Sequence, residues 1–457
     1  MGAWTRQEIY AALLEVPALD AHTHLVGGRL GARGLHDVLL YHMATSELYA
    51  AGCPSGERLT QYPGWPSAQE ARARLEEALP YLPLVRNTAI SYGIRLILHD
   101  LYGVAGPVTP GNWQTVDAAI RERADDRAWQ REILRRANLG RCCTEWVRRQ
   151  DGADDEVLQY SLEWAFFTRC QWGEWDTALY ELERAWGEEP RPSTPIGPGR
   201  RPPAERRIRS VDDVHQAVAW YVGHIPAGQV LSTATHLSTD IDYRAVTPEE
   251  LEGALARRAC AGPAERDTYA SYVHEAFLAE LEGRLAGKVV FQFSLGAEPL
   301  PHETGSRLSQ RTLVQVGEMV SRHPRLRFQC FLASRHAGQA LCSLCRELPN
   351  LSLAGYWWHT FYPGSIRQAI EERLDMLPLN RQVGFFSDAY CLEWVYGKSL
   401  LVRRALAEVL ADKVDQGQYD RDLALDIARQ VLYETPQSLL GMEPAAALAP
   451  ARAGGRG

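Results

Sequence analysis

The chain has 457 residues, 46% hydrophobic and 23% charged, which is enough apolar material for one large α/β domain or two smaller ones and too much for a disordered polymer. Its net charge of −8 comes from interspersed acids and bases, so no basic face is available for a phosphate backbone; the expected partner is a small molecule and no nucleic acid. No apolar run approaches the ~18 residues of a membrane span, the N-terminal MGAWTRQEIYAALLEV lacks a basic leader, and nine irregularly spaced cysteines read as reduced thiols, so the sequence predicts a cytoplasmic protein with no membrane partner.

Short β-branched or apolar runs recur along the chain, and several end in polar residues of catalytic type. In order they are LDAHTHL (19–25), the weaker GIRLILHDLYG (93–103), LGRCCTEW (139–146), QVLSTATHL (229–237), KVVFQFSLG (288–296), RLRFQCFL (325–332), NLSLAGYWWH (350–359) and QVGFFSDAY (382–390). Between them lie amphipathic helical patterns such as SQRTLVQVGEMVSRH and GKSLLVRRALAEVLADKV. Alternation of this kind with eight strands predicts a parallel (β/α)8 TIM-type barrel over residues 1–445. The runner-up, an open doubly wound sheet, lacks a G-x-G-x-x-G after an early strand. Residues 147–228 read as a helical insertion followed by a loop rich in Pro, Gly and Arg, and 446–457 as a disordered tail.

The first strand carries His22 and His24. Residues i and i+2 of a strand share a face, so two imidazoles converge there as a divalent metal requires; the competing reading is two histidines alternating on a half-buried strand. Asp388 ends the last strand, which in a barrel lies beside the first, so it can join the pair; its competing reading is a helix N-cap. Two histidines and one carboxylate leave metal positions open for water and substrate, the pattern of a catalytic site. Zinc (Zn2+) is the expected ion, and other first-row divalent metals suit the same donors.

On these residues the chain resembles the amidohydrolase superfamily of metal-dependent barrels, in which an H-x-H ends the first strand and an Asp ends the eighth. Within it the sequence is similar to the uronate isomerase family through LDAHTHL, YHMATSELYAAG with His42, QFSLGA, YWW and GFFSDAY, which fall in order over most of residues 10–445. The resemblance implies a metal at His22, His24 and Asp388 and a catalytic role for His42. Three departures stand out. Met43 follows His42 where the family has Tyr, Ser294 stands in place of a His, and Ser387-Asp388-Ala389-Tyr390 replaces Ser-Asp-Ser-Arg. The last removes a bidentate guanidinium from the family's carboxylate recognition.

Further histidines can fill the gap. His236 ends the fourth strand at the barrel mouth and is read as catalytic or as a third ligand, against a satisfied core histidine. His302 and His359 follow later strands, His359 as a substrate contact. Trp357 and Trp358 alternate faces if extended, so one lines the pocket and the other packs outward, with plain packing as the competing reading for both; Tyr390 is taken as a further substrate contact. Cys342 and Cys345, spaced C-x-x-C in a helical run, read as buried thiols; Cys142-Cys143 lacks a second half, and the arginine cluster GPGRRPPAERRIR reads as a solvated loop.

Two reactions are compatible with this machinery. Hydrolysis of an amide or similar bond in a small or peptide-like substrate would use a metal-activated water, with Asp388 handling the proton and His236 stabilising the oxyanion. Isomerisation of a sugar or sugar acid would use the same ligands, with Asp388 or His42 as base. Loss of the Arg tilts the sequence reading to hydrolysis. A binding or scaffold role is the non-enzymatic alternative, and self-association into a homo-oligomer stays open.

Overall fold

The structure, a computed structural model, describes residues 6–54, 67–150, 152–163, 175–187, 206–237, 242–296, 308–358 and 361–442, apart from the side chains of His42 and Ala68. The eight strands found among them are β1 (Ala18–Thr23), β2 (Leu139–Glu145), β3 (Leu158–Glu163), β4 (Val230–His236), β5 (Val290–Leu295), β6 (Arg327–Leu332), β7 (Leu351–Ala354) and β8 (Gln382–Val383). They form one sheet in sequence order, every neighbouring pair parallel, as crossover helices between successive strands require. Closure comes from the chain just past β8: Ala21 N donates to Phe385 O at 3.4 Å, Asp388 N to His22 O at 3.0 Å and His24 N to Ala389 O at 2.8 Å. The expected (β/α)8 barrel is the observed one.

Two strand expectations change. Residues 93–103 lie almost wholly in the helix Ala89–Tyr102, which buries Ile94, Ile97, Leu98 and Leu101 at helical spacing. The strand that fills the barrel instead is β3, inside the 147–228 segment read as a helical insertion and loop. That segment also holds the helices Thr177–Ala185 and Val211–Gly223, while its Pro/Arg-rich part at 188–205 and the 446–457 tail lie outside the described residues. The longest described connection is the largely helical one between β1 and β2.

Strand alternation sorts the core. Phe291 and Phe293 of β5 join the large cluster packed with the surrounding helices, whereas Val290 joins a smaller one with Leu19, Ala21, Phe331, Trp357 and Phe386. On the same face as Val290, Gln292 accepts from Ser232 Oγ at 2.8 Å and donates to Gln329 Oε1 at 2.8 Å, a buried polar ladder across three strands. At the end of β7, Gly355 has φ 47°, and a Cβ there would overlap the Phe386 ring. No helix among the described residues is long and apolar enough to cross a membrane. The eight described cysteines are free; Cys342 and Cys345 are buried, as the sequence reading has them, and so are Cys142 and Cys143.

The helix Pro263–Leu285 sets His274 against Phe291, ring centroids 5.7 Å apart, with Nε2 3.0 Å from Met319 Sδ. Burial drives this imidazole from 6.5 down to about 3, against the pull of Glu275 and with help from His323 and Arg322. The unfolded chain therefore takes up a proton that the native chain refuses, so this contribution is complete above pH 6.5 and is lost as pH falls from there to about 3. Replacing His274 by Phe is expected to flatten the acid limb of stability. Urea midpoints at about pH 7 and about pH 5 should then converge relative to the parent, before Glu275, held down to about 2, begins to titrate.

Candidate metal centre

The C-terminal mouth of the barrel carries His22 (β1) with His24 just past that strand, Glu145 (β2), His236 (β4) and Asp388, just past β8. His24 Nε2 lies 3.1 Å and His22 Nε2 3.6 Å from Asp388 Oδ1, and the ligand atoms of these three residues all fall within 4.8 Å of one another. The two rings meet edge to face, centroids 5.0 Å apart, and His22 is walled by Phe331 at 5.2 Å and Phe386 at 5.7 Å.

Asp388 is held by a lattice of buried polar contacts. Its backbone is left-handed, φ 54°, a conformation Asp tolerates better than most residues. Tyr41 Oη donates to the Asp388 carbonyl at 2.7 Å, and Lys398 Nζ donates to Tyr41 Oη at 2.6 Å and to the Ser387 carbonyl. Asp20 Oδ1 accepts from Ser387 N at 2.8 Å and from His22 N at 3.3 Å, tying the first strand to the chain past β8 at the seam where the barrel closes. Burial pushes the Asp20 carboxyl up to about 7 and the Lys398 ammonium down to about 8. The lattice fixes the turn that aims the Asp388 carboxylate at the histidines.

The residues suit a divalent cation. Asp388 Oδ2 is buried with no hydrogen-bond partner, as befits a carboxylate whose partner is an ion or a substrate. His22 is driven down to about 4 by burial and then by His24, so it is a neutral donor at pH 7. His24 goes the other way: burial lowers it, but Glu145 and Asp388 outweigh that and bring it up to about 9. For Asp388, burial raises the carboxyl and His24 more than reverses this, holding it well below the carboxylate range. A cluster that gathers positive charge onto one imidazole is one in which a cation is at home.

Glu145, Arg148, Tyr41 and Lys398 were not singled out by sequence reasoning. Glu145 Oε1 stands 3.1 Å from His24 Nδ1, an ion-pair contact outside hydrogen-bond geometry, and its other oxygen pairs with Arg148. The signal available for Glu145 was its position, an acid at the C-terminal end of a barrel strand. His236 Nδ1 shares a 2.6 Å hydrogen bond with Ser294 Oγ of the neighbouring strand β5, which orients this ring. Trp357 packs 5.2 Å from His236 and 5.1 Å from Trp358. The pair does not alternate as an extended strand would, since Trp358 has φ 46° beyond the end of β7. Tyr390 stacks on His24 at 4.6 Å, and burial, then Asp388, push its hydroxyl well above the usual range. His302, His359 and the side chain of His42 lie outside the described residues.

No family model matches the sequence, and no curated protein does. The fold has known counterparts. A glucuronate isomerase from Caulobacter crescentus superposes with TM-score 0.75 at 15% identity, covering 96% of this chain and 94% of that one. A uronate isomerase from Bacillus halodurans C-125 gives TM-score 0.72 at 15% identity, over 97% and 99%. A provisionally assigned metal-dependent hydrolase from Lactobacillus casei gives TM-score 0.57 at 12% identity, over 95% and 97%. The shared architecture is the parallel (β/α)8 barrel. Within that class, its fold is similar to that of uronate isomerases along almost the whole chain.

Proposed function

We propose that the chain is a divalent-metal enzyme that interconverts the aldose and ketose forms of a sugar or sugar acid. The observation that carries the reading is the convergence of His22, His24 and Asp388 at the barrel mouth, with Asp388 Oδ2 left over for a proton. The choice between reactions rests on the fold, which is nearer to the two uronate isomerases than to the hydrolase. Zinc is the ion we assign, held by those three side chains. When bound, it supplies Lewis acidity toward a carbonyl and its neighbouring hydroxyl.

The chain's own residues then have distinct work. Aldose–ketose interconversion breaks the C2–H bond, forms a C1–H bond and moves one proton from O2 to O1. Asp388 Oδ2 carries the carbon-bound proton between the adjacent carbons. His236, oriented by Ser294, moves the proton between the oxygens, and His42 is the alternative carrier named by the resemblance. Trp357 and Tyr390 form apolar walls that keep water from the reacting carbons, and Trp358 and His359 are assigned to the same rim. Hydrolysis of an amide in a small or peptide-like substrate is the second reading. It is favoured by the likeness to the Lactobacillus casei protein and would use Asp388 Oδ2 to carry a proton from water to the leaving nitrogen.

The deciding assay is ketose formation from D-glucuronate and D-galacturonate by the zinc-loaded protein. Turnover is expected with one of them, to fall at least ~100-fold on removal of metal by a chelator and to return with added zinc. A protein that holds one zinc per chain and converts neither acid would sink the isomerase reading and move the search to amides.

A further inference from the structure

We propose that Arg148 anchors a carboxylate group of the substrate beside the metal centre. The proposal rests on the reading of His22, His24 and Asp388 as the reaction centre, and holds for either reaction. Arg148 ends the single 3-10 turn Trp146–Arg148 that follows β2, which returns its side chain to the barrel mouth. Its Nε donates to Glu145, whose other oxygen is the one 3.1 Å from His24 Nδ1. Its guanidinium carbon lies 5.8 Å from the centroid of the Tyr390 ring, and that ring stacks on His24 at 4.6 Å. The cation is thus tied to the metal-binding imidazole along two routes, one ionic and one aromatic.

What needs explaining is the rest of the guanidinium. Among the described residues neither Nη1 nor Nη2 makes a hydrogen bond, although the side chain is only 15% exposed. Four of its five N–H donors therefore face a half-closed site with no hydrogen-bond acceptor among the described residues, where water or a ligand can take them, and Glu163 adds a second negative charge to the surroundings of the guanidinium. The two terminal amines present a planar edge that a carboxylate matches with two parallel bonds. Glu145 holds the Nε side, so the edge cannot swing away, and its own charge is shared between His24 and Arg148. The guanidinium that the sequence lacks at position 390 is supplied from β2, stacked over the tyrosine that stands in its place. The substrate class that follows is a hydroxy or carbonyl acid, with its carboxylate at Arg148 and its reacting end at the metal ligands.

A merely structural Arg148 would serve only to neutralise Glu145, and a lysine could do that. The test is calorimetric titration of the zinc-loaded full chain with D-glucuronate, D-gluconate and glycolate, each beside its neutral counterpart D-glucose, D-sorbitol or ethylene glycol. At least one acid is expected to bind about tenfold or more tightly than its neutral partner. Arg148→Met should abolish that preference. Arg148→Lys keeps Glu145 paired and the fold intact, yet should also lose most of it, because one ammonium cannot serve both carboxylates. The proposal is overturned if no acid outbinds its neutral partner, or if the preference survives in Arg148→Lys. Zinc content in the same samples separates the two ideas. Acid preference without bound zinc would keep Arg148 and remove the metal centre; stoichiometric zinc without acid preference would do the reverse.

Discussion

Asp388→Asn should lower kcat by roughly 10³-fold or more, within or beyond the range that loss of one acid–base group usually produces. The amide keeps the size of the carboxylate and, like Asp, accepts the left-handed backbone at φ 54°, so the turn held by Tyr41, Lys398 and Asp20 should survive. What is lost is the negative charge that faces both imidazoles and the free Oδ2 that can carry a proton. Metal affinity should fall as well, since a neutral amide is a poorer ligand for a divalent cation than a carboxylate. Turnover by Asp388→Asn must therefore be measured at saturating zinc, with metal content determined on the same protein. A variant that holds one zinc per chain and works within tenfold of the parent would remove Asp388 from proton transfer. His22→Ala tests the other role: it deletes a neutral donor from the cluster and is expected to lose both zinc and activity.

The grouping of His22, His24 and Asp388 was legible in the sequence because two simple periodicities define it. A strand repeats every two residues, which puts His22 and His24 on one side, and a barrel closes its last strand on its first, which brings in Asp388. The fold was legible for a similar reason, apart from two segments where period and composition pull against each other. Residues 93–103 look apolar enough for a strand, but Ile94, Ile97, Leu98 and Leu101 recur at i, i+3, i+4 and i+7, and that spacing prevails. β3 alternates as Leu158-Gln-Tyr-Ser-Leu-Glu163, a short strand obscured by the aromatic, helix-like run that follows it. Arg148 could not be read from the chain at all. Its meaning depends on a turn after β2 and on a tyrosine more than two hundred residues away, a relation no local pattern encodes. For that reason the sequence argument from Tyr390 toward hydrolysis loses its force once Arg148 is seen over the same ring.

Arg403→Met should destabilise the fold by about 3–5 kcal/mol while leaving turnover per folded molecule unchanged. The residue sits in the long helix Leu392–Asp415, 1% exposed, and burial draws even its guanidinium down to about 10. Its Nη1 donates to the carbonyls of Leu13 and of Val16, the latter at 2.7 Å, and its Nη2 to the carbonyls of Ala137 at 3.2 Å and Asn138 at 3.4 Å. Those four carbonyls lie on the chain entering β1 and β2, so one side chain pins the N-terminal ends of the two strands whose other ends carry His22, His24 and Glu145. Methionine fills much of the same volume and offers no donor, so the packing loss is small and the effect comes from the lost bonds to carbonyls in a dry interior, of which those of Leu13 and Asn138 keep a backbone donor, Val16 N and Ala18 N. The His22, His24 and Asp388 group is at the opposite end of the barrel, which is why activity and stability should separate. Denaturant unfolding at fixed pH, with zinc bound and with zinc removed, measures the first, and kcat referred to folded protein measures the second. A loss below about 1 kcal/mol would mean that water replaces the guanidinium at those carbonyls, and that the bottom of the barrel is more open than its burial indicates.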